Sequence, residues 1–164
     1  MPIRQISVER FSVTSSRPFE DVVRAVDAGI GHPDMNLFLK SITAAGTFNE
    51  LEKTVQQAVG SSDLMEFARF DLGEVLSKDH GLRAPRILRL VAGNPVTMKK
   101  MAEHVPDAGS YAPVTILIDE RPDGVHLSYD RMSSLLASYG SPDALRVARD
   151  LDSKVEALLT SAAR

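Results

Sequence analysis

The sequence predicts a two-layer α+β domain: a largely antiparallel, five-stranded sheet with helices on one face. Three observations carry this expectation. The chain has 164 residues, the size of one ordinary domain and enough to bury about 70% of the surface its unfolded form exposes. With 43% hydrophobic and 25% charged residues, the composition is that of a soluble globular protein. The hydrophobic period switches repeatedly between two and 3.6 along the chain, in the order strand, helix, two helices, strand, link, strand, helix, strand, strand, helix, helix. Five strands with helices sufficient for one face make two layers. Residues 1–164 read as a single domain in which 32–60 form a helical insertion.

The elements follow from local chemistry. Ile6 to Thr14 is β-branched and free of Gly and Pro, and reads as a strand. Ser16 and Pro18 start a helix whose Phe19, Val22, Val23, Val26 and Ile30 fall on one side, with Gly29 or Gly31 as its stop. Asp34 precedes Met35, Phe38, Leu39 and Ile42 at helical spacing, and Thr47 with Glu50 has capping-box spacing before Leu51, Val55 and Val59. Residues 32–60 therefore form a helical hairpin. From Leu64 the period becomes two: Met65, Phe67, Arg69 and Asp71 alternate with Glu66, Ala68 and Phe70. Leu72 to Gly81 is a short helical or irregular link, and Ile87 to Ala92 is a buried strand bounded by Pro85 and Gly93. Asn94-Pro95 opens a helix with Met98, Met101, Ala102 and Val105 inward. Val114 to Glu120 and Val125 to Asp130 flank Arg121-Pro122-Asp123-Gly124 and form a hairpin. Asp130 is positioned to cap a short helix carrying Leu135 and Leu136. Ser141-Pro142-Asp143 opens the last helix, with Leu151, Val155, Leu158 and Leu159 inward and Asp150–Lys154 as an i,i+4 pair outside.

Composition narrows function mainly by exclusion. The net charge is −3, so the chain advertises no generic phosphate-binding surface and nucleic acid is not an expected partner. There is no Cys, which excludes a disulfide framework, a thiolate nucleophile and thiolate metal sites. Arg4, Glu9, Arg10, Arg17, Glu20, Asp21, Arg24 and Asp27 break any apolar run of signal or membrane-span length in the first thirty residues. A cytoplasmic location and no membrane partner are expected.

The run from Phe67 to Tyr129 carries FARFD at 67–71, a Gly81-Leu82-x-x-Pro85 approach to a strand and Gly93-Asn94-Pro95. It continues with Pro113 leading into a strand ending Asp119-Glu120, and closes on Leu127-Ser128-Tyr129-Asp130. Together these resemble the domain of unknown function 302 family over about 60 residues, and Ile6 to Ile30 fits that family's opening strand and helix. The resemblance implies a TATA-binding-protein-like α+β fold and a tendency to form homodimers. Members carry Asp-His at the end of the second strand, where this chain has Asp71-Leu72, so no role of that His carries over. The resemblance brings no agreed activity, and nucleic-acid binding does not follow from the fold.

Several residues invite chemical readings. Gly93-Asn94-Pro95, followed by Lys99 and Lys100, reads either as a helix cap or as an anion-holding helix start. His126, Ser128 and Asp130 alternate along one strand, where same-side neighbours sit about 6–7 Å apart, too far for a nucleophile–base pair. The His at 32, 80, 104 and 126 have no H-x-H or H-x-x-x-H spacing, and Met98, Met101 and His104 at three-residue steps read as core rather than a cofactor pocket. No metal and no cofactor are expected. The charges placed on strands are the more informative pattern: Arg69, Asp71, Arg89 and His126 are uncomfortable there unless paired or wet. With Asn94 and the Tyr129 hydroxyl, they form the candidate ligand-binding set, for a small polar or anionic ligand or a second subunit met at the sheet. The resulting expectation is a small-ligand-binding or interaction domain, homodimeric and cytoplasmic. The alternative is a small enzyme acting on a carbonyl or phosphate compound, with Asp71 as base or Tyr129 and Arg69 as electrostatic partners.

Overall fold

The computed structural model describes residues 3–80 and 83–164, so the Gly81-Leu82 step of the approach to the third strand lies outside the described residues. Five strands form one antiparallel sheet in the order β1-β5-β4-β3-β2. They are β1 (Arg10–Ser15), β2 (Met65–Asp71), β3 (Ile87–Gly93), β4 (Val114–Arg121) and β5 (Gly124–Asp130). The α-helices are α1 (Phe19–Gly29), α2 (Met35–Ala44), α3 (Phe48–Ala58), α4 (Leu72–His80), α5 (Pro95–Ala102), α6 (Met132–Leu136) and α7 (Pro142–Ala163). The expected α+β class is the observed one. No helix among the described residues is long and apolar enough to cross a membrane.

The strand alternation decides the layers. Leu90, Ile116 and Leu127 are fully buried in a core shared with Val22 and Val26 of α1, Met101 of α5 and Val155 and Leu159 of α7. The intervening positions Ser12, Thr14, Arg89 and Thr115 are exposed, as befits an antiparallel sheet with one wet face. A smaller cluster of Phe38, Val55 and Met65 lies under the α2–α3 hairpin, whose helices are capped by Asp34 and by Thr47, the latter as its spacing to Glu50 predicts. Its root is tight: a Cβ on Gly31 would lie 1.8 Å from the Ala58 carbonyl oxygen, and one on Gly60 would lie 2.5 Å from the Ile30 carbonyl carbon. Only glycine permits these two chain segments to cross.

Two boundaries differ from expectation. The first strand begins at Arg10 rather than Ile6, because Arg10 pairs with Asp130 at the end of β5 and no partner strand extends further. Glu9 instead accepts the Arg131 amide and donates its own amide to Ser134 Oγ. The cap of α6 is not Asp130, which stays on β5 and pairs with Arg10 at 2.6 and 2.9 Å. Asp152 of α7 takes that role, accepting the amides of Met132 at 2.7 Å and Ser133 at 3.2 Å. The 72–81 link is helical over Leu72–His80, with Asp71 Oδ1 accepting the Glu74 amide at 2.8 Å.

Candidate functional site

The six candidate residues divide between the two faces of the sheet and the turn after β3. Arg69 pairs with Leu90 and Asp71 with Leu88; directly paired residues project to the same side, so both lie on the covered side. They line a groove of about 520 Å³ with Phe19, Glu20, Glu74 and Arg86. Arg69 is committed there: it donates to Glu66 at 2.7, 3.1 and 3.2 Å and to Asp27 of α1. These hydrogen bonds raise its pKa further above an already high value. A β-bulge between Glu66 and Ala68 makes the pairing possible. Strict alternation would put Glu66 and Arg69 on opposite faces, whereas the extra residue returns them to the same one. Asp71 spends one oxygen on the α4 amide.

Tyr129 and Asn94 are structural in their contacts. The Tyr129 ring is 1% exposed, and its hydroxyl donates to Asp152 Oδ1 at 2.7 Å and accepts the Met132 amide at 3.1 Å. Burial first, and then the Asp152 charge, push the phenol well above its ordinary value. Asn94 Oδ1 accepts the amides of Val96 and Thr97, while Nδ2 donates to the carbonyl and a carboxylate oxygen of Asp63. Its side chain joins α5 to the segment before β2. An apolar cavity of about 100 Å³ adjoins it, lined by Phe67, Met98, Met101, Pro113 and Leu151, so Met98 and Met101 belong to apolar packing.

Arg89 and His126 share the open face. His126 is tied to Asp123 at 2.8 Å, which lowers the Asp123 pKa, and it sits beside Thr14. With Ser128 it stands along β5, while Asp130 is held by Arg10. These three residues are not joined as a triad. Arg89 differs from the other strand charges: among the described residues no carboxylate pairs with it. Its guanidinium lies 5.8 Å from the centre of the Phe70 ring and donates to Thr115 Oγ1 at 3.4 Å. Thr115 opens on a hollow of about 360 Å³ that reaches from this face around the ends of β4 and β5, also lined by Leu117, Ser128, Tyr111, Tyr129 and the Arg10–Asp130 pair. The arrangement offers one uncommitted guanidinium and several hydroxyls beside an apolar floor. The Asp130 carboxylate there is neutralised by Arg10, and the free guanidinium of Arg89 beside it suits holding a small anion.

Two polar clusters escaped the sequence reading. Asp152 sits among the inward Leu151 and Val155 of α7, and nothing local marks it as the cap of another helix. Asp27, His32 and Glu66 meet only through the Gly31 crossing and the β2 bulge. A charged residue at an inward helical position was the available signal for Asp152; the other cluster has none within helical or strand spacing.

Comparison with known proteins agrees with the topology. The family model for the Domain of unknown function DUF302 matches residues 39–162, a span that takes in α3 and the last six residues of α2. The crystal structure of an uncharacterized conserved protein DUF302 from Bacillus stearothermophilus superposes with a TM-score of 0.64 at 12% identity, covering 94% of this chain and 98% of that one. At that identity the likeness concerns the fold. No curated protein matches the sequence.

Proposed function

The chain belongs to the Domain of unknown function DUF302 family, and on that premise we propose that it is a cytoplasmic, homodimeric binding domain that holds a small anionic ligand against the open face of its sheet. The observation that carries this reading is Arg89. It is the strand cation for which the described residues offer no carboxylate, and it stands beside the hydroxyl-lined hollow at Thr115, Leu117 and Ser128. An exposed guanidinium with no internal carboxylate keeps its donors free for a ligand anion. Every other candidate charge is already satisfied internally. Binding is favoured over catalysis because Tyr129 is locked to Asp152 and Asp71 caps α4, so neither is placed to act on a substrate with Arg69. The net charge of −3 supports a small ligand rather than nucleic acid.

Native mass spectrometry of the purified chain tests both parts, through the subunit count and any co-purifying mass. Titration with inorganic phosphate and with succinate, followed by thermal shift, tests the site. Saturable stabilisation that is lost in Arg89→Met supports the reading. A bare monomer, or an Arg89→Met protein that binds as the parent does, refutes it.

A further inference from the structure

Independently of Arg89, the geometry points to a divalent-metal site of the zinc class formed by Asp27 of α1, His32 just beyond it and Glu66 of β2. One donor atom from each lies within 4.8 Å of the others. His32 Nδ1 and Glu66 Oε2 are 3.4 Å apart, close to the roughly 3.3 Å that separates two ligands held at about 2.0–2.1 Å around a tetrahedral zinc ion. The ring orientation is the second observation. His32 Nε2 lies 3.0 Å from the Asp27 carbonyl oxygen, an atom that only accepts, so Nε2 carries a proton and donates it. With Nε2 as the donor, Nδ1 turns toward Glu66 Oε2, the oxygen that Arg69 meets at 2.7 Å, and a dication bound by both would take the place of Arg69 as its cation. Metal-ligating imidazoles are fixed in this way, with the other ring N–H on a backbone carbonyl or carboxylate. The competing occupant of the gap is a second ring proton, which would make His32–Glu66 a simple ion pair.

The backbone holds these donors in place. The Gly31 amide donates to the Leu64 carbonyl at 2.9 Å and the Glu66 amide to the Gly31 carbonyl at 2.8 Å, which clamps His32 beside β2. The bulge turns Glu66 to the side where α1 presents Asp27. Arg69, bonded to both carboxylates, keeps them from repelling each other when no dication is bound and competes with a dication that arrives. One imidazole with two carboxylates suits Zn²⁺ or Co²⁺ better than Mg²⁺ or Ca²⁺, which take all-oxygen sets. Three protein ligands also leave a coordination position open.

The test uses the full chain stripped with EDTA, titrated with Zn²⁺ by calorimetry and with Co²⁺ by visible absorption. One Zn²⁺ per chain and an intense, low-symmetry Co²⁺ d–d band are expected. His32→Gln and Glu66→Gln should each weaken Zn²⁺ binding by roughly tenfold or more and abolish the band, whereas His104→Gln, altering a half-exposed imidazole beside Glu103, should change neither. Arg69→Gln should tighten binding. His32 has a side chain 45% exposed, so its replacement keeps the fold if Glu66→Gln does not. Absence of saturable Zn²⁺ binding, equal weakening by His104→Gln and His32→Gln, or no tightening in Arg69→Gln would overturn the proposal.

Discussion

The two faces of the sheet come from the same five strands but handle charge in opposite ways. On the covered face, Arg69 and Tyr129 are fastened to carboxylates of helices, Asp27 of α1 and Asp152 of α7. On the open face, Arg89 and Thr115 keep their polar groups at the surface, the pairs Arg10–Asp130 and Asp123–His126 join exposed or partly exposed residues, and the buried Asp119 is met by the exposed Arg121. Desolvation explains the difference for Tyr129 and Asp152, each 1% exposed, while Arg69, its side chain 33% exposed, is paired at the rim of that face. A polar group beneath helices must find a partner in the protein, whereas one facing water need not. An unpaired cation on the covered face would be a defect. On the open face it is available to a ligand.

The sharpest way to break this contrast is Asp152→Ala. The carboxylate is 1% exposed and serves the Tyr129 hydroxyl and the amides of Met132 and Ser133, with Arg131 at 3.7 Å. Removing it orphans the Tyr129 hydroxyl proton and the Ser133 amide, leaves the Met132 amide to Tyr129 alone, and should cost about 3–5 kcal/mol, a large fraction of the ~5–15 kcal/mol of an ordinary domain. Thermal unfolding should fall by roughly 10 °C. A loss below about 1 kcal/mol would show that the covered face does not depend on its polar satisfaction.

That covered network also marks the boundary of what sequence could show. Helical spacing in α1 and α7, the Asn94-Pro95 and Ser141-Pro142 caps and the turn chemistry at Pro122-Asp123-Gly124 are local signals, and the elements they predict are present. The site is less legible because its contacts are long-range. Asp130 was the nearer acid to α6, but β-pairing with Arg10 claimed it, leaving the cap to Asp152, twenty positions beyond Met132. Likewise a single bulged residue in β2 reversed the relation between Glu66 and Arg69. What spacing did convey was that charges at Arg69 and Arg89 required an explanation. Which face each strand turned toward its helices decided that the two explanations differ.

Tyr129→Phe probes the same network through pH. The folded protein holds this phenol's proton well above its ordinary value, mainly because of burial and the Asp152 charge. Above about pH 10 the unfolded chain releases the proton while the folded one retains it, so the stability contribution is fully present below that pH and declines as pH rises. Urea midpoints between pH 9 and 11 should fall in the parent and fall less steeply in Tyr129→Phe, which at neutral pH loses about 1–2 kcal/mol for the missing hydroxyl. Parallel curves would show that the phenol is not held as the geometry indicates. Asn94→Ala, at the edge of the covered layer, ranks next. It removes acceptors for two α5 amides and the link to Asp63, and about 1 kcal/mol is expected from such a cap. Neutrality there would mean that water replaces the cap at no cost.

Arg89→Met should show the smallest change in stability. Its guanidinium makes one long hydrogen bond to Thr115 and lies over the Phe70 ring, contacts that a methionine partly replaces with its own stem and sulfur against the aromatic face. Surface substitutions of this kind stay within about 0.5 kcal/mol, so the urea midpoint should hardly move while phosphate or succinate binding is lost. The combination matters more than either result alone. A structural cation would lose stability first, as Arg69 should when its bonds to Glu66 and Asp27 are cut. If Arg89→Met proved as destabilising as Arg69→Met, the two arginines would share one structural role. The open face would then be an extension of the covered face's internal pairing, and the contrast between them would disappear.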